Sequence, residues 1–222
     1  MCGPSCAVKP FMGLADLISM GYKSWRDENS PLSELDDDLL QLRQRDQYRG
    51  DYGYVLATSE VMERLATFLQ SCGQVLDAGS GSGYLSSELS RLGVDMFAVD
   101  RRDFRVPHAT GGGYPIRMVY QLDALGDAAH FVTSKFGAVM MTWPPFNQPF
   151  ALDIAKVMLP GQVLVYEGEM AGGCNADDAF FEFMADRCLW EPMNELTISL
   201  NSVHVVMESL HDCWAVWRRA SK

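Results

Sequence analysis

From residue 73 onward, apolar runs of strand length alternate with amphipathic stretches of helix length. This rhythm predicts an α/β domain with a mostly parallel sheet and helices on both faces. The expected elements are strand 73–77, helix 83–92, strands 95–99 and 117–122, a short helix near 125–133, strand 136–142, helix 147–158, strand 162–167, helix 176–187, and strands 193–200 and 213–219. That makes seven strands, the last two joined as a hairpin. Upstream, residues 11–70 read as helical. An apolar stripe runs from Met12 to Met20, Ser33 with Asp36 forms a cap before Leu39, Leu40 and Leu42, and Ser59 caps a segment carrying Val61, Met62, Leu65 and Leu69. Aromatic residues and glycines interleave from Tyr48 to Tyr54. The division expected is a helical cap or lid over 1–56 and an α/β domain over 57–222.

Charge narrows the choice of partner. The 222 residues carry a net charge of −11. Acids exceed bases in each part of the chain: 11 to 7 in residues 1–70, 7 to 6 in 71–150 and 11 to 5 in 151–222. Gripping a nucleic-acid backbone requires a positive surface that displaces counterions. The one local basic cluster is Arg101, Arg102 and Arg105, so nucleic acid is an unlikely substrate. No apolar run approaches the roughly 20 residues that cross a bilayer, and Met1–Lys9 lacks a secretory pattern. A cytoplasmic protein with no membrane partner is the expectation; the sequence leaves the oligomeric state open. Cys2, Cys6, Cys72, Cys174, Cys188 and Cys213 are scattered, with no Cys-x-x-Cys pair and no histidine at ligand spacing. This pattern fits reduced thiols, with neither disulfides nor a metal site. The 13 methionines are read as core fillers.

The densest chemistry lies at Val75-Leu76-Asp77-Ala78-Gly79-Ser80-Gly81-Ser82-Gly83-Tyr84-Leu85. An apolar strand ends in a carboxylate, and alternating glycines lead into a helix, which exposes bare backbone to a ligand. A dinucleotide loop needs G-x-G-x-x-G, but Tyr84 stands at its last position. The pattern D-x-G-x-G-x-G resembles the first motif of the class I S-adenosylmethionine-dependent methyltransferases, which have a Rossmann-like fold of seven strands. The resemblance implies S-adenosyl-L-methionine as cofactor, with Gly79, Ser80, Gly81 and Gly83 along its methionine part and Asp77 near its ammonium group. It also implies that the segment before the first strand folds over the cofactor.

In an open parallel sheet the ligand sits at the carboxyl ends of the strands. Asp100, 21 positions after Gly79, ends the second strand where an acid can accept both ribose hydroxyls, beside Arg101. Asp123 and Ala124 follow the third strand. The resemblance puts Asp123 at the adenine amino group, while its residue type equally suits a helix N-cap. After the fourth strand comes Thr142-Trp143-Pro144-Pro145-Phe146-Asn147. The prolines fix the backbone and leave carbonyls directed outward. The run resembles the Asp/Asn/Ser-Pro-Pro-aromatic motif of methyltransferases acting on amino nitrogens, with Trp143 replacing the polar residue and Thr142 one step earlier. Methylation of a nucleobase amine is therefore disfavoured, and Trp143 suits an apolar, aromatic or cationic group.

Thr142 is thus assigned to the cofactor, and Trp143, Pro144, Phe146, Asn147 and Tyr54 to the acceptor. Glu167 and Glu169 end the fifth strand beside the glycine-rich Ala171–Asp177 loop and could bind an amine or act as base. This stretch and the Trp-Pro-Pro run are similar to a small group of uncharacterised methyltransferase-like proteins over roughly the last 85 residues. The loop 201–212 before the last, antiparallel strand should lie on the cofactor side. There His211 beside Asp212 is the preferred proton acceptor, and His204, in an apolar run, is read as packed. Glu167, His211 and Trp143 form the catalytic set. The function expected is methyl transfer to a small molecule. The alternatives are a cyclase or lyase acting on the same cofactor, and a catalytically silent binding protein.

Overall fold

A computed structural model of the chain describes Tyr48 and residues 52–101, 122–206 and 210–221. The helices expected within 11–47, the strand at 117–122 apart from Leu122, and the clustered Arg102 and Arg105 lie outside these residues.

Seven strands form one sheet in the order β3-β2-β1-β4-β5-β7-β6. They are β1 Gln74–Ala78, β2 Met96–Asp100, β3 Ala124–Leu125, β4 Phe136–Thr142, β5 Val163–Glu169, β6 Trp190–Pro192 and β7 Asp212–Arg219. Pairings from β3 through β5 are parallel, and β7 runs antiparallel to both β5 and β6. This is the Rossmann-like architecture that the class I resemblance implies. Strand order reverses between β1 and β4, which places the switch point, and the crevice where such sheets bind ligands, beside Asp77 and Thr142.

Helices cover both faces. On one, α1 (Ser59–Leu69), α2 (Tyr84–Arg91) and α5 (Asn194–Asn201) pack Val61, Met62, Leu65, Leu89 and Leu200 onto Val75, Met140, Val165 and Trp214. On the other, α3 (Phe150–Val157) and α4 (Asp178–Met184) pack Ile154, Phe180 and Met184 onto Leu76, Val139, Met141 and Tyr166. The strands therefore alternate their apolar residues between two covered faces, as a sheet buried on both sides must. The cap of α1 is Thr58, one residue before the expected Ser59, and its side chain accepts from the amide of Val61.

Residues 193–200 overturn one expectation, being helix α5 where a strand was read. Leu196, Ile198 and Leu200 alternate like a strand, but Ile198 is 68% exposed while Met193, Leu196, Leu200 and Val203 share the core. Spacings of three and four residues describe that buried stripe, which is helical. The sixth strand is the short Trp190–Pro192, and no tight hairpin joins it to β7. β7 still begins at the carboxyl end of β5, because Asp212 pairs with Glu169.

Candidate functional site

The glycine turn closes the end of β1. Gly79, Gly81 and Gly83 hold φ of 76°, 56° and 76°, a left-handed region hostile to other residues. The amides of Gly79 and Ser80 donate to the Val99 carbonyl at 2.9 and 3.0 Å, and that of Gly83 to the Ser80 carbonyl at 2.9 Å. The amide of Gly81 donates to Asp100 Oδ2 at 2.9 Å, which ties the end of β2 to the turn. A Cβ on Gly79 would strike the Phe150 ring at 2.9 Å, whereas at Gly81 it would meet nothing within 4 Å. The turn is thus packed from below and bare on one side.

Beneath it Asp77 is buried. Ser86 Oγ, in the first turn of α2, donates to its Oδ2 at 2.7 Å, and its Oδ1 has no partner. Burial pushes the carboxyl up to about 7, against the Ser86 hydrogen bond and with a further push from Asp100. A buried acid with one open oxygen is suited to a cation. The donor set therefore fits the cofactor that the motif implies: Asp77 could hold an ammonium group and the turn an extended chain.

A run of tyrosines links this turn to the Trp-Pro-Pro run. Ser82 Oγ donates to the Tyr52 carbonyl at 3.3 Å. The Tyr52 ring lies 4.9 Å from Tyr84 and 5.0 Å from Tyr48, and Tyr54 stacks on Trp143 at 5.1 Å with 24° between the planes. Tyr48 Oη donates to the Val55 carbonyl and accepts from the Ala57 amide. Residues 52–54 therefore span from the glycine turn to the Trp-Pro-Pro run.

On the opposite flank, Arg101 pairs with Asp127, whose carboxyl is lowered chiefly by that bond. Asp127 also accepts from the Ala129 amide at 3.2 Å and caps the short turn Ala128–Phe131. The capping role thus belongs to Asp127, not Asp123. Asp123 is exposed, and its carboxylate accepts from the Ala98 amide at 2.7 Å, two residues short of the end of β2. Asp123 and Ala124 do not follow the third strand as expected: Ala124 opens β3 and pairs with Val99, and Asp123 stands just before it.

The wall after β4 differs from the outward-facing carbonyls expected. The Pro144 carbonyl is turned in and accepts from Asn175 Nδ2 and the Ala176 amide, both at 3.3 Å. The Asn147 amide in turn donates to the Ala176 carbonyl at 2.6 Å. Trp143, Asn147 and Ala176 take positive φ of 45°, 51° and 53°, strain that this stapling sustains. Only the rim is open, with Phe146 62% exposed and Asn147 exposed beside it. Thr142 pairs with Glu167 across β4 and β5, and the Trp143 amide donates to the Glu167 carbonyl at 2.8 Å.

Of the two glutamates, Glu169 offers no free carboxylate to an amine, which corrects the expectation for it. Glu169 Oε2 accepts from the Cys174 amide at 2.6 Å and Oε1 from the His211 amide at 3.1 Å, so it staples two loops. Glu167 is fully buried. His211 is exposed and is not the partner of Asp212; His204 is packed, as expected, and its ring meets Asp212 at 2.9 Å. No sequence signal revealed this, since a partner eight residues away is set by the loop's path.

No family model and no curated protein matches the chain in sequence. Several solved structures share its course. TehB from Haemophilus influenzae aligns over 79% of this chain and 66% of its own, at 16% identity and a TM-score of 0.46. A putative O-methyltransferase from Klebsiella pneumoniae aligns over 90% and 96%, at 13% identity and 0.49. The Thermus thermophilus 16S rRNA methyltransferase RsmC aligns over 72% and 42%, at 16% identity and 0.41. The chain thus spans 66% of the TehB chain, and these likenesses concern the fold alone.

Proposed function

We propose that the chain is an S-adenosyl-L-methionine-dependent methyltransferase acting on a small-molecule acceptor. The observation that carries this reading is Asp77, a buried carboxylate with an unpartnered oxygen beneath three left-handed glycines at the switch point of the sheet. In this reading Asp77 receives the cofactor's ammonium group, and residues 79–83 follow its methionine part. Asp100, already anchored to Gly81, receives the ribose hydroxyls, and Arg101, Asp123 and Ala124 border the adenine. The acceptor enters along Tyr54, Trp143, Pro144, Phe146 and Asn147, with Thr142 between it and the cofactor. The negative charge and the absence of a basic region favour a small acceptor over a nucleic acid.

Methyl transfer is an in-line displacement. The acceptor's lone pair forms the new bond to carbon as the carbon–sulfur bond breaks and its electrons return to sulfur. The protein's share is alignment and exclusion of water. The test is calorimetric titration with S-adenosylmethionine, followed by product analysis with a panel of small-molecule acceptors. S-adenosylhomocysteine marks methyl transfer, other fragments mark cyclisation or cleavage, and no binding by folded protein overturns the proposal.

Two substitutions probe the two halves of the site. Asp100→Ala is expected to weaken cofactor binding by about 1–3 kcal/mol, the range for losing hydrogen bonds to a charged group. Unchanged affinity in the same titration removes Asp100 from the ribose. Trp143→Ala is expected to lower kcat about tenfold or more while cofactor affinity changes far less, since a displaced acceptor loses alignment first. The reverse split would move Trp143 into the cofactor pocket.

A further inference from the structure

The buried cluster of Glu167, Asp212 and His204 has a proton count that the geometry fixes. Side chains alternate across the pleat, and Glu167 pairs with Trp214 while Glu169 pairs with Asp212. All four therefore point to the face covered by α5. Asn201, the last residue of α5, is bonded to the Trp214 backbone in both directions, at 2.8 and 2.9 Å. The following loop carries His204 against Trp214 and Asp212. One carboxylate oxygen each of Glu167 and Asp212 and a ring nitrogen of His204 lie within 4.8 Å of one another.

Trp214 decides the state of His204. Its indole N–H can only donate, and it donates to His204 Nδ1 at 3.1 Å, so that nitrogen carries a lone pair. The ring proton is then on Nε2 and is given to Asp212 Oδ2 at 2.9 Å. A divalent cation fits this arrangement poorly. A neutral histidine that ligates through Nε2 carries its proton on Nδ1 and needs an acceptor there, and Trp214 supplies a donor.

Four buried polar atoms at this point have no partner: Glu167 Oε1, Glu167 Oε2, Asp212 Oδ1 and Trp143 Nε1. With both acids ionised this is one donor and three acceptors, with two like charges pressed together. One added proton turns the four into two pairs: a Glu167 O–H giving to Asp212 Oδ1, and the Glu167 carbonyl oxygen receiving the Trp143 N–H. We propose that Glu167, Asp212 and His204 form a one-proton relay, in which a neutral Glu167 acid holds the Trp143 indole and an ionised Asp212 is held by His204, whose other ring nitrogen is fixed by Trp214. Glu167 is then a positioning residue and not the base that removes a proton from an acceptor.

The titration tendencies agree. Burial, with Asp212 adding to it, holds Glu167 well above the usual carboxylate range. Asp212 is lowered: its own burial pushes it up, and the bond to His204 leads the influences that outweigh that push. The neighbouring Tyr166 and Cys213 are both raised by burial and supply no positive charge.

The relay is tested on the full-length protein without cofactor, so the result stands apart from the methyltransferase reading. In an Asp77→Asn background, which removes the other raised buried acid, infrared spectra at neutral pH should show the carbonyl stretch of a buried protonated carboxylic acid, absent when Glu167→Gln is added. Nitrogen-15 NMR should report His204 as the Nε2–H tautomer. Glu167→Gln, whose amide can donate to Asp212 and accept from Trp143, should melt with the wild type, and Glu167→Ala several degrees lower. No acid band, a protonated Nδ1, or Gln melting like Ala would overturn the proposal. So would stoichiometric binding of Mg²⁺, Mn²⁺ or Zn²⁺ that removes the band.

Discussion

Asp77→Asn is expected to weaken S-adenosylmethionine binding about 10- to 150-fold while leaving the cofactor-free protein as stable as the wild type, or more so, above pH 7. The two effects have opposite signs because they come from one buried charge. In the free protein, burial raises the Asp77 carboxyl to about 7, above the ordinary value near 4 that it regains on unfolding. Between these values the folded state holds more protons than the unfolded state. Stability from this group is therefore full below about pH 4, falls as pH rises to about 7, and is flat beyond. A shift of about three units corresponds to roughly 4 kcal/mol at most. Asparagine can keep the Ser86 bond and removes the charge, so this fall should vanish from its pH–stability profile. The bound state reverses the balance. An ammonium group at Oδ1 favours the ionised carboxylate, and the bond it makes there belongs to the charged class worth about 1.5–3 kcal/mol. Wild-type binding near pH 6.5 should then release protons, seen as a heat that varies with the buffer's ionisation enthalpy, and the variant should release fewer. A variant that binds normally with an unchanged buffer dependence would detach Asp77 from the cofactor.

Which parts of this arrangement were legible depended on the range of the interactions. β4 falls on the expected 136–142, since a fully buried strand writes its pattern in its own residues. The D-x-G-x-G-x-G turn was legible for a related reason: the left-handed positions 79, 81 and 83 favour glycine through backbone sterics of their own. The place of Asp100 at the end of β2 also followed from the strand pattern. The 193–200 segment failed because Ile198 completes a period-two pattern, while the environment buries the three-and-four stripe of Met193, Leu196, Leu200 and Val203. Partnerships were the least legible. His211 is next to Asp212 in sequence but lies outside β7 and is exposed, while His204, eight residues away, meets the carboxylate. Likewise Glu169 and the Pro144 carbonyl looked like free acceptors until the Ala171–Asp177 loop supplied their donors.

A glycine with no motif around it is expected to matter as much for stability as Asp77 does for binding. β1 and β4 slip register between Gln74 and Val75: Gln74 faces Phe136, and Val75 faces Ala138. Gly137 is the extra residue of that bulge, which sets Asp77 against Met140 downstream. A Cβ there would lie 1.7 Å from the Cys72 carbonyl oxygen and 2.8 Å from its carbon, and both are backbone atoms that no rotamer change can move. Accommodating it would shift the short turn Gln70–Cys72 that joins α1 to β1, or would remove the bulge. Removal moves the pairing by one residue and reverses which face each side chain takes, an arrangement the two covered faces forbid. Gly137→Ala is therefore expected to lower the unfolding free energy by more than about 3 kcal/mol, beyond the usual overpacking range, read from the denaturant midpoint at an unchanged m-value. Gly161→Ala is the control: its φ of 86° carries strain, but nothing lies within 4 Å of the added carbon. It should lose only about 1–2 kcal/mol. If both variants lose equally, close approach to Cys72 is not what requires glycine at 137, and the register of β4, with Thr142 at its end, is fixed by its side chains alone.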